Sequence, residues 1–367
     1  MHQFFMTRAG GGGTRSYEFA RRFVERGHGV RMLTAGEGTQ TVDGIEVVGV
    51  RGVYSDYMRA TALSNARRTL AFARFALGAA LAALRGPRPD VIYATSPPLT
   101  MALPALVAAA RWRAPLVFEV RDLWPEAPIQ MGVLRNGVAQ RLARAVERFV
   151  YSRSARLIAL SPGIRAALPR DKAELVPNSA DLDLFDPSPH SGDFLVSYFG
   201  AMGEANDLAA AVEAARLLPD VRFVLMGDGK RRADLERSAP ENVEFRRGRK
   251  TEVAKLAAQS AACLTLFKDV PVLATNSPNK LFDTFAAGRP AIVNMDGWMR
   301  ELVEQNDAGL YVRAGDARDL AEKLAWLRNN PGEAARMGRN ARALAEREFS
   351  RDQLASRALA LLEEAAR

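Results

Sequence analysis

Two charged residues, Lys280 and Asp283, stand out against the apolar stretch of sequence around them. Their spacing of three residues would place both side chains on one face of a helix, with about 5–6 Å between their Cβ atoms. A cation in the first turn of a helix opposes the helix dipole unless a bound anion interacts with both. A diphosphate beside Lys280 and a ribose diol beside Asp283 would explain the two charges. The alternative is a local ion pair between them on a core helix.

The sequence also predicts where this helix begins and ends. Ser277 supplies a capping hydroxyl, and Pro278 fits the first helical position, where a missing N–H costs nothing. Gly288, followed by Pro290, predicts the end. Because the side chains between are apolar on nearly every face, we predict that the helix is buried. Its apolar residues are Leu281, Phe282, Phe285, Ala286 and Ala287.

A second group of charged residues follows the predicted buried strand Pro115–Val120. Open α/β sheets place their ligands at the carboxyl ends of their strands, so this group is a candidate for the reacting side of a site. A structural ion pair between Arg121 and one of the carboxylates is the alternative. We favour a functional role because these charged residues lie in a loop directly after a strand, where the residue spacing of a helix cannot explain why they cluster. The group consists of Arg121, Asp122 and Glu126, with Trp124 among them.

A glycine-rich loop near the start of the chain is a third candidate. It lies between a short apolar run over residues 1–6 and a predicted helix from Thr14 to Arg26. The N–H groups of such a loop can face an anion, but four consecutive glycines do not match the spaced dinucleotide fingerprint, and a flexible joint is the alternative. The first strand is short, which suggests that residues precede Met1. The loop residues singled out are Gly11, Gly12, Gly13, Thr14 and Arg15.

Strands and helices alternate along the whole chain, which predicts an α/β fold of two Rossmann-like, doubly wound domains. We place the first domain at residues 1–177 and the second at 178–350, with a helix over 351–367 that could return to the first. A ligand site is then expected in the cleft between the domains. Glycine turns follow several strands of the second half. Those expected to contact a nucleotide contain Gly203, Gly227, Asp228, Gly248, Arg249 and Lys250.

The composition is that of an ordinary globular protein and favours anionic partners, but it does not identify the ligand. The 367 residues include 48% hydrophobic and 25% charged residues, with a formal net charge of +9 and a pI of about 10.0, which favours anionic partners. The single cysteine, Cys263, excludes an internal disulfide framework. Three scattered histidines have no metal-ligand spacing. We expect no membrane span and no signal peptide.

One long segment predicts a further contact. Residues Thr61–Leu84 form a helical pattern in which arginines are interspersed with leucine and phenylalanine. A basic helix with an apolar face suggests contact with a membrane surface. The alternative is a core helix of the first domain with a solvated basic edge.

Taken together, these segments resemble the family-4 glycosyltransferases of the GT-B fold over essentially the whole chain. The matching motifs are Gly11–Thr14 with R-S-Y-E-F-A-R-R-F, R-D-L-W-P-E at Arg121–Glu126, V-P-N-S-A-D-L-D-L-F at Val176–Phe185, G-D-G at Gly227–Gly229, and S-P-N-K-L-F-D from Ser277. The pairing of R-D-L-W-P with S-P-N-K is most similar to the branch that builds bacterial surface polysaccharides from nucleotide-linked amino sugars.

The resemblance implies an enzyme that transfers a sugar from a UDP-sugar to an acceptor hydroxyl with retention at the anomeric carbon. It also implies that the enzyme uses neither a metal ion nor a cofactor. The implied acceptor is a polyprenyl-diphosphate-linked glycan of O-antigen or capsule synthesis, and the implied location is the cytoplasm, with peripheral contact to the anionic inner membrane face. The implied nucleotide contacts are Pro278, Asn279, Lys280, Leu281 and Asp283, the last on the ribose; the implied catalytic residues are Arg121, Asp122, Glu126 and Lys280.

Two departures from the family pattern concern the donor site. Family members commonly carry two glutamates separated by seven residues; here Asp283 represents the second, and the first falls at Thr275. The segment Gly203–Asn206 stands where the family has an Arg and a Lys. Two alternatives stay open: a UDP-sugar 2-epimerase on the same fold, and a non-enzymatic basic binder of polyphosphate or nucleic acid. We expect no nucleic-acid partner, because the sequence shows no recognition motif or aromatic-basic stripe.

Overall fold

The computed structural model describes residues 1–8, 10, 13–50, 65–188 and 192–367. Each half of the chain is built of mainly parallel strands with helices packed on them, as the alternation of predicted elements requires. The strands of the first half are β1 (Arg31–Ala35), β2 (Thr39–Val42), β3 (Ile45–Val50), β4 (Ile92–Ser96), β5 (Leu116–Val120), β6 (Arg156–Ala159) and β7 (Ala173–Leu175). Its helices are α1 (Arg15–Glu25), α2 (Asn65–Ala83), α3 (Ala102–Trp112), α4 (Glu126–Gln130), α5 (Gly137–Arg153) and α6 (Pro162–Ala166).

The start of the chain joins two sheets of the first half. One sheet has the order β1-β3-β2 and the other β4-β5-β6-β7. Residues 1–3 lie between β1 and β4: the Met1 amine donates to the Tyr93 carbonyl at 2.6 Å, and the His2 N–H donates to the Leu33 carbonyl at 3.1 Å. Residues 1–3 therefore connect the two sheets, but the apolar run over residues 1–6 does not form a regular strand, because residues 3 and 4 form a turn.

The second half contains one parallel sheet with the order β10-β9-β8-β11-β12-β13. Its strands are β8 (Leu195–Phe199), β9 (Arg222–Met226), β10 (Val243–Arg246), β11 (Ala262–Thr265), β12 (Ala291–Val293) and β13 (Gly309–Tyr311). Its helices are α7 (Leu208–Leu217), α8 (Arg232–Ser238), α9 (Lys250–Ala258), α10 (Asn279–Ala286), α11 (Trp298–Gln305), α12 (Ala317–Asn329) and α13 (Pro331–Glu348), followed by the C-terminal α14 (Arg351–Ala366).

Two groups of helices cover the sheet layer of the first half. In one group α2 packs against α3 and α3 against α5. In the other, α14 returns from the second half to pack against α1, β5 and β6. The predicted α/β fold with two Rossmann-like domains is confirmed.

A buried cluster of charges ties α14 to α1 and to the segment between the two halves. Glu18 of α1 and Asp181 are both fully buried, and Nη1 of Arg351 lies 3.1 Å from Oε1 of Glu18 and 2.6 Å from Oδ2 of Asp181. Arg8 and Arg22 also contact Glu18. Although burial alone would raise it, the hydrogen bond from Arg8 and the charge of Arg351 lower the pKa of Glu18 to about 2. Glu18 therefore stays ionised at neutral pH, and its ion pair with Arg351 holds α14 on the first half.

Several short elements are absent from the sequence prediction, among them β2, α4 and α8. These three contain 4, 5 and 7 residues, too few for a periodic hydrophobic pattern to reveal them. The helix predicted over Thr61–Leu84 is α2, and residues 61–64 lie outside the described residues.

No helix of the described residues combines the length and the apolar character needed to cross a membrane. A cavity of about 990 Å³ opens along β1 and β4 and is closed by the end of α14, with Phe19, Trp112 and Leu362 among its walls. None of the residues predicted to bind a nucleotide lines this cavity, so it is separate from the site described next.

Replacing Arg351 by methionine should lower the free energy of unfolding by about 3 kcal/mol, because the buried carboxylates of Glu18 and Asp181 lose their shared partner. Urea titration followed by circular dichroism measures the change. Arg357→Met, at an exposed position of the same helix, is the matched control and should change the free energy by less than about 0.5 kcal/mol. Equal stabilities of the two variants would show that the cluster does not stabilise the fold.

Candidate active site

Helix α10 is buried on nearly every face, as its composition predicts. Phe282 and Phe285 have no exposed surface. The Phe282 ring stacks on Trp298 at 6.3 Å between centroids and meets Phe349 at 4.8 Å. Gly288 follows the helix with a φ of +63°, the left-handed conformation expected where a helix ends. The packing fixes the position of the helix N-terminus.

The start of α10 differs from the prediction. Pro278 occupies the N-cap position and Asn279 is the first helical residue. Ser277 does not cap the helix; its hydroxyl and carbonyl oxygens accept hydrogen bonds from the N–H and the side chain of Asn178. The first N–H groups of a helix have no intrahelical acceptor. In α10 the Leu281 N–H donates to the Pro278 carbonyl at 3.1 Å. With no side-chain cap here, the N–H groups of Asn279 and Lys280 are available to an anion.

Lys280 lies in the first turn of α10, and its ammonium is surrounded by neutral groups. Nζ donates to Oη of Tyr198 and to Oδ1 of Asn206, both at 2.8 Å. It also lies 4.3 Å from the centre of the Tyr198 ring and 5.1 Å from that of Phe267. Burial lowers the pKa of Lys280 to about 7. An anion at this position would stabilise the charge that burial disfavours.

Asp283 pairs with a different lysine, so the local ion pair with Lys280 considered as an alternative is wrong. Its Oδ2 accepts a hydrogen bond from Nζ of Lys250 at the start of α9. Only 5% of the Asp283 side chain and 14% of the Lys250 side chain are exposed. Burial raises the pKa of Asp283, and the charge of Lys250 opposes this shift. Contact of Asp283 with a ribose stays a prediction.

Glycine turns bring the ends of neighbouring strands together beside Lys280. Gly227 has no room for a side chain, because a Cβ atom there would lie 1.8 Å from the Gly200 carbonyl oxygen. A Cβ atom at Gly200 would lie 3.4 Å from Cε of Lys280, so the loop after β8 passes directly beside the lysine. In the same loop the Asn206 N–H donates to the Gly203 carbonyl at 3.2 Å. This turn presents the Asn206 side chain to Lys280.

Asp228, Gly248 and Arg249 lie in the turns after β9 and β10, where Asp228 and Arg249 make local bonds. Oδ2 of Asp228 accepts from Nε of Arg247 at 2.8 Å. The Arg249 N–H donates to Oε2 of Glu252 at 2.7 Å, which begins α9. Contacts of these three residues with a nucleotide stay predictions.

The glycine loop of the first half reaches the start of α10. A Cβ atom at Gly13 would lie 3.0 Å from Nδ2 of Asn279 and 3.6 Å from Nη2 of Arg121. These three residues therefore meet where the two halves face each other, and Arg121 brings a second positive charge to the N-terminus of α10. Gly11 and Gly12 of the same predicted loop lie outside the described residues.

The charged residues after β5 have different partners. Nη1 of Arg121 lies 3.4 Å from Nε2 of His2. Burial raises the pKa of Asp122, and Arg121 opposes the shift. Glu126 forms an ion pair with Arg144 of α5 at 2.7 Å, which ties α4 to α5. Arg121 and Asp122 are therefore stronger catalytic candidates than Glu126.

Arg15 and Thr14 are part of the buried framework. Nε of Arg15 donates to Oε2 of Glu119 at 2.9 Å, Nη2 donates to the Val176 carbonyl at 2.9 Å, and Nη1 donates to the Pro177 carbonyl. Thr14 is also buried. Since each nitrogen of the Arg15 guanidinium has a protein acceptor, the structure gives Arg15 a structural role instead of the predicted phosphate contact. It links α1 to the segment that leads into the second half.

Sequence reasoning missed Tyr198 as a partner of Lys280. In the sequence Tyr198 is one apolar residue of a buried strand, but its hydroxyl donates to the Ala201 carbonyl at 2.6 Å and accepts from Lys280. Asn206 was noticed only as part of a departure from the family pattern. A polar side chain in a loop after a buried strand is the signal that could have found it.

The arrangement is suited to binding a diphosphate. The N-terminus of α10 adds a partial positive charge to that of Lys280, and Arg121 of the first half lies next to Gly13, which meets Asn279 at this N-terminus. Preorganised donors of this kind stabilise negative charge that develops on a leaving group. Within the described ranges, no three His, Cys, Asp or Glu side chains lie close enough to hold a metal ion.

Binding of UDP should take up protons at mildly alkaline pH. With a pKa of about 7, free Lys280 is mostly neutral at pH about 8, whereas a bound diphosphate raises the pKa by favouring the ammonium. Affinity should therefore fall as the pH rises above 7. Titration calorimetry in buffers of different ionisation enthalpy should give uptake of about one proton. Lys280→Met should abolish the uptake and Lys255→Met, at an exposed site on α9, should retain it; undiminished uptake by Lys280→Met would contradict the assignment.

Two families of glycosyltransferase domains match the chain. The Glycosyl transferase 4-like domain matches residues 10–179, and Glycosyl transferases group 1 matches residues 193–330. The first match includes the glycine loop and Arg121, and the second includes all of α10. Among curated protein sequences, none matches the chain.

Solved structures share the fold at low sequence identity. Sucrose-phosphate synthase from Thermosynechococcus elongatus is 16% identical, with a TM-score of 0.79 over 99% of this chain and 98% of its own. HepE of Anabaena in complex with UDP-glucose is 17% identical, with a TM-score of 0.73 over 99% of this chain and 100% of its own. WaaG, a glycosyltransferase involved in lipopolysaccharide biosynthesis, is 17% identical, with a TM-score of 0.69 over 99% and 98%. The two domain matches identify residues 10–179 and 193–330 as glycosyltransferase domains, and the solved structures show that the two halves together adopt the GT-B fold.

Proposed function

We propose that the protein transfers a sugar from a UDP-sugar to an acceptor hydroxyl, with retention at the anomeric carbon. The observation that carries the proposal is the position of Lys280, whose ammonium lies at the N-terminus of α10 with only neutral hydrogen-bond partners. Gly13 of the first half, with Arg121 next to it, lies beside Asn279, the first residue of the same helix. HepE was solved with UDP-glucose and with UDP and glucose, which supports a UDP-sugar donor.

The barrier to transfer comes from negative charge on the departing diphosphate. Donors that are fixed in place lower this barrier when they bind the transition state more tightly than the substrate. Lys280 and the first N–H groups of α10 supply such donors from the second half, and Arg121 supplies one from the first. The charge is neutralised by these groups in the proposed reaction, without a metal ion.

The ribose would bind one turn further along α10. Asp283 accepts a hydrogen bond from a ribose hydroxyl in this proposal, and Lys250 holds its carboxylate in position. At the end of β5, Asp122 is the candidate for taking the proton of the acceptor hydroxyl, because burial raises its pKa and so makes it a stronger base than an exposed aspartate.

We further propose an N-acetylated amino sugar as the transferred group and a polyprenyl-diphosphate-linked glycan as the acceptor, in O-antigen or capsule synthesis. The involvement of WaaG in lipopolysaccharide biosynthesis supports this class of acceptor. The net charge of +9 suits an anionic lipid-linked substrate. Such an acceptor places the reaction in the cytoplasm, at the inner membrane face.

A panel of nucleotides and nucleotide sugars tests the donor. UDP and its sugars should raise the melting temperature by several degrees at saturating concentration, whereas GDP-sugars should not. Lys280→Ala should lower turnover with the best donor by about 10²-fold, the loss typical of removing one such donor group. Wild-type turnover in Lys280→Ala would remove this lysine from the mechanism, and conversion of the donor alone to an epimer would contradict a transferase.

The ribose contact is tested by comparing Asp283→Ala with Lys250→Met. Both variants break the same buried ion pair, so both should lose stability. Only Asp283→Ala removes the proposed ribose acceptor, and it should weaken UDP binding by about 10-fold, as expected for losing a hydrogen bond to a charged group. Calorimetry at a temperature where both variants are folded measures the affinities. If both variants bind UDP equally well, Asp283 does not contact the ribose.

A further inference from the structure

Helix α5 exposes a stripe of large apolar side chains. Leu142 and Phe149 have 66% and 50% of their surfaces exposed, and Val138 and Val146 are exposed beside them. Positions four, four and three residues apart lie along one side of a helix. The opposite side of α5 packs on the first half through Tyr151, which is buried and whose ring lies 6.3 Å from that of Phe118. The stripe is therefore the outward side of the helix, where the Phe149 ring is contacted by the guanidinium of Arg153 of the same helix, 5.2 Å from its centre.

A second stripe lies on α2. Leu70, Leu77 and Leu81 are about 60% exposed, whereas Phe75 is fully buried. The sequence left open whether these leucines pack in a core or contact a membrane, and in the structure they point outward. Because α2 packs against α3 and α3 against α5, the two stripes belong to one layer of helices, and the exposed Leu103 of α3 belongs to it as well.

Among the described residues, this layer contains most of the exposed large apolar side chains. Of the twelve such residues in the described ranges, only Leu217 and Trp326 belong to the second half. Large exposed apolar surfaces on soluble proteins mark sites of interaction.

The same helices are strongly basic. Helix α2 has no acidic residue and α5 has one, Glu147. The exposed arginines beside the stripes are Arg67, Arg74 and Arg85 at α2 and Arg141, Arg148 and Arg153 on α5. Two copies of this surface facing each other would bring like charges together, which disfavours self-association. The charge instead matches an anionic partner.

We propose that α2, α3 and α5 form a membrane-docking face that binds the surface of an anionic lipid bilayer. Apolar side chains inserted below the headgroups, flanked by arginines at the level of the lipid phosphates, are the features of an interfacial helix, and each arginine near an anionic surface adds to the attraction. The biological role of this face rests on the proposed function, because docking would bring the enzyme to an acceptor that is anchored in the membrane. Its test does not depend on the transferase reaction.

The membrane-docking face begins beside the cleft. Helices that follow parallel strands start at the carboxyl edge of the sheet, where the ligand site lies. Val138 is in the first turn of α5 and Leu103 in the first turn of α3. A docked molecule would therefore hold the edge of its cleft near the headgroups, where the diphosphate and the first sugars of a lipid-linked acceptor lie.

Sedimentation with vesicles tests the proposal. Vesicles with about 30 mol% phosphatidylglycerol should retain the wild-type protein at about 0.05 M salt, and vesicles of pure phosphatidylcholine should retain little. Raising the salt to about 0.5 M should release part of the protein. The double variant Leu142→Ser/Phe149→Ser should partition about 10-fold more weakly or worse. The matched control Leu217→Ser/Trp326→Ser replaces exposed apolar residues of the second half and should bind like the wild type.

Melting temperature and UDP affinity of both double variants are measured in parallel. Unchanged values with lost vesicle binding in Leu142→Ser/Phe149→Ser support the membrane-docking face. Vesicle binding equal to wild type in that variant would overturn it, as would failure of wild-type protein to prefer anionic vesicles. A wild-type dimer that this variant dissociates would assign the face to a second copy instead. Vesicle binding without UDP binding would contradict the proposed function and leave the docking face standing.

Discussion

The candidate site depends on a lysine ammonium held among neutral groups. The fall in the pKa of Lys280 from 10.5 to about 7 corresponds to about 5 kcal/mol of bias against the charged form. Two hydrogen bonds and two aromatic rings hold the ammonium in place, but none of these partners carries a negative charge. The same helix has a ready carboxylate in Asp283, which pairs with Lys250 instead. The site is thus complementary to an anion that the protein itself does not supply.

That site is useful only if the two halves keep their relative positions, and buried charges hold them. Arg15 binds the carbonyls of Val176 and Pro177 in the segment between the halves. Arg351 pairs with Glu18 and Asp181 at the return of α14 to the first half. Removing one member of such a group leaves a buried charge without a partner, which is costly. The geometry around Gly13, Arg121 and Asn279 therefore rests on contacts formed away from the cleft.

The positive charge of the molecule is divided between two places with different chemistry. The cleft holds the two cations Lys280 and Arg121, which are partly buried and suited to binding one diphosphate. On α2 and α5, exposed arginines flank exposed leucine, valine and phenylalanine side chains, an arrangement that suits an extended surface. Net charge alone could not separate these two uses, because it does not distinguish buried cations from exposed ones.

The sequence by itself determined the α/β alternation, both Rossmann-like halves and the burial of α10, because hydrophobic periodicity and glycine or proline at element ends are local signals. It also singled out Lys280 and Arg121, since charges at the ends of buried segments are visible without a fold. Only the tertiary structure decided the partners. Tyr198 and Asn206 bind Lys280 from 82 and 74 residues away, and Lys250 reaches Asp283 from 33 residues away. The predicted phosphate contact of Arg15 is wrong for the same reason: a long flexible side chain binds acceptors that lie near it in space, and these cannot be read from spacing along the chain.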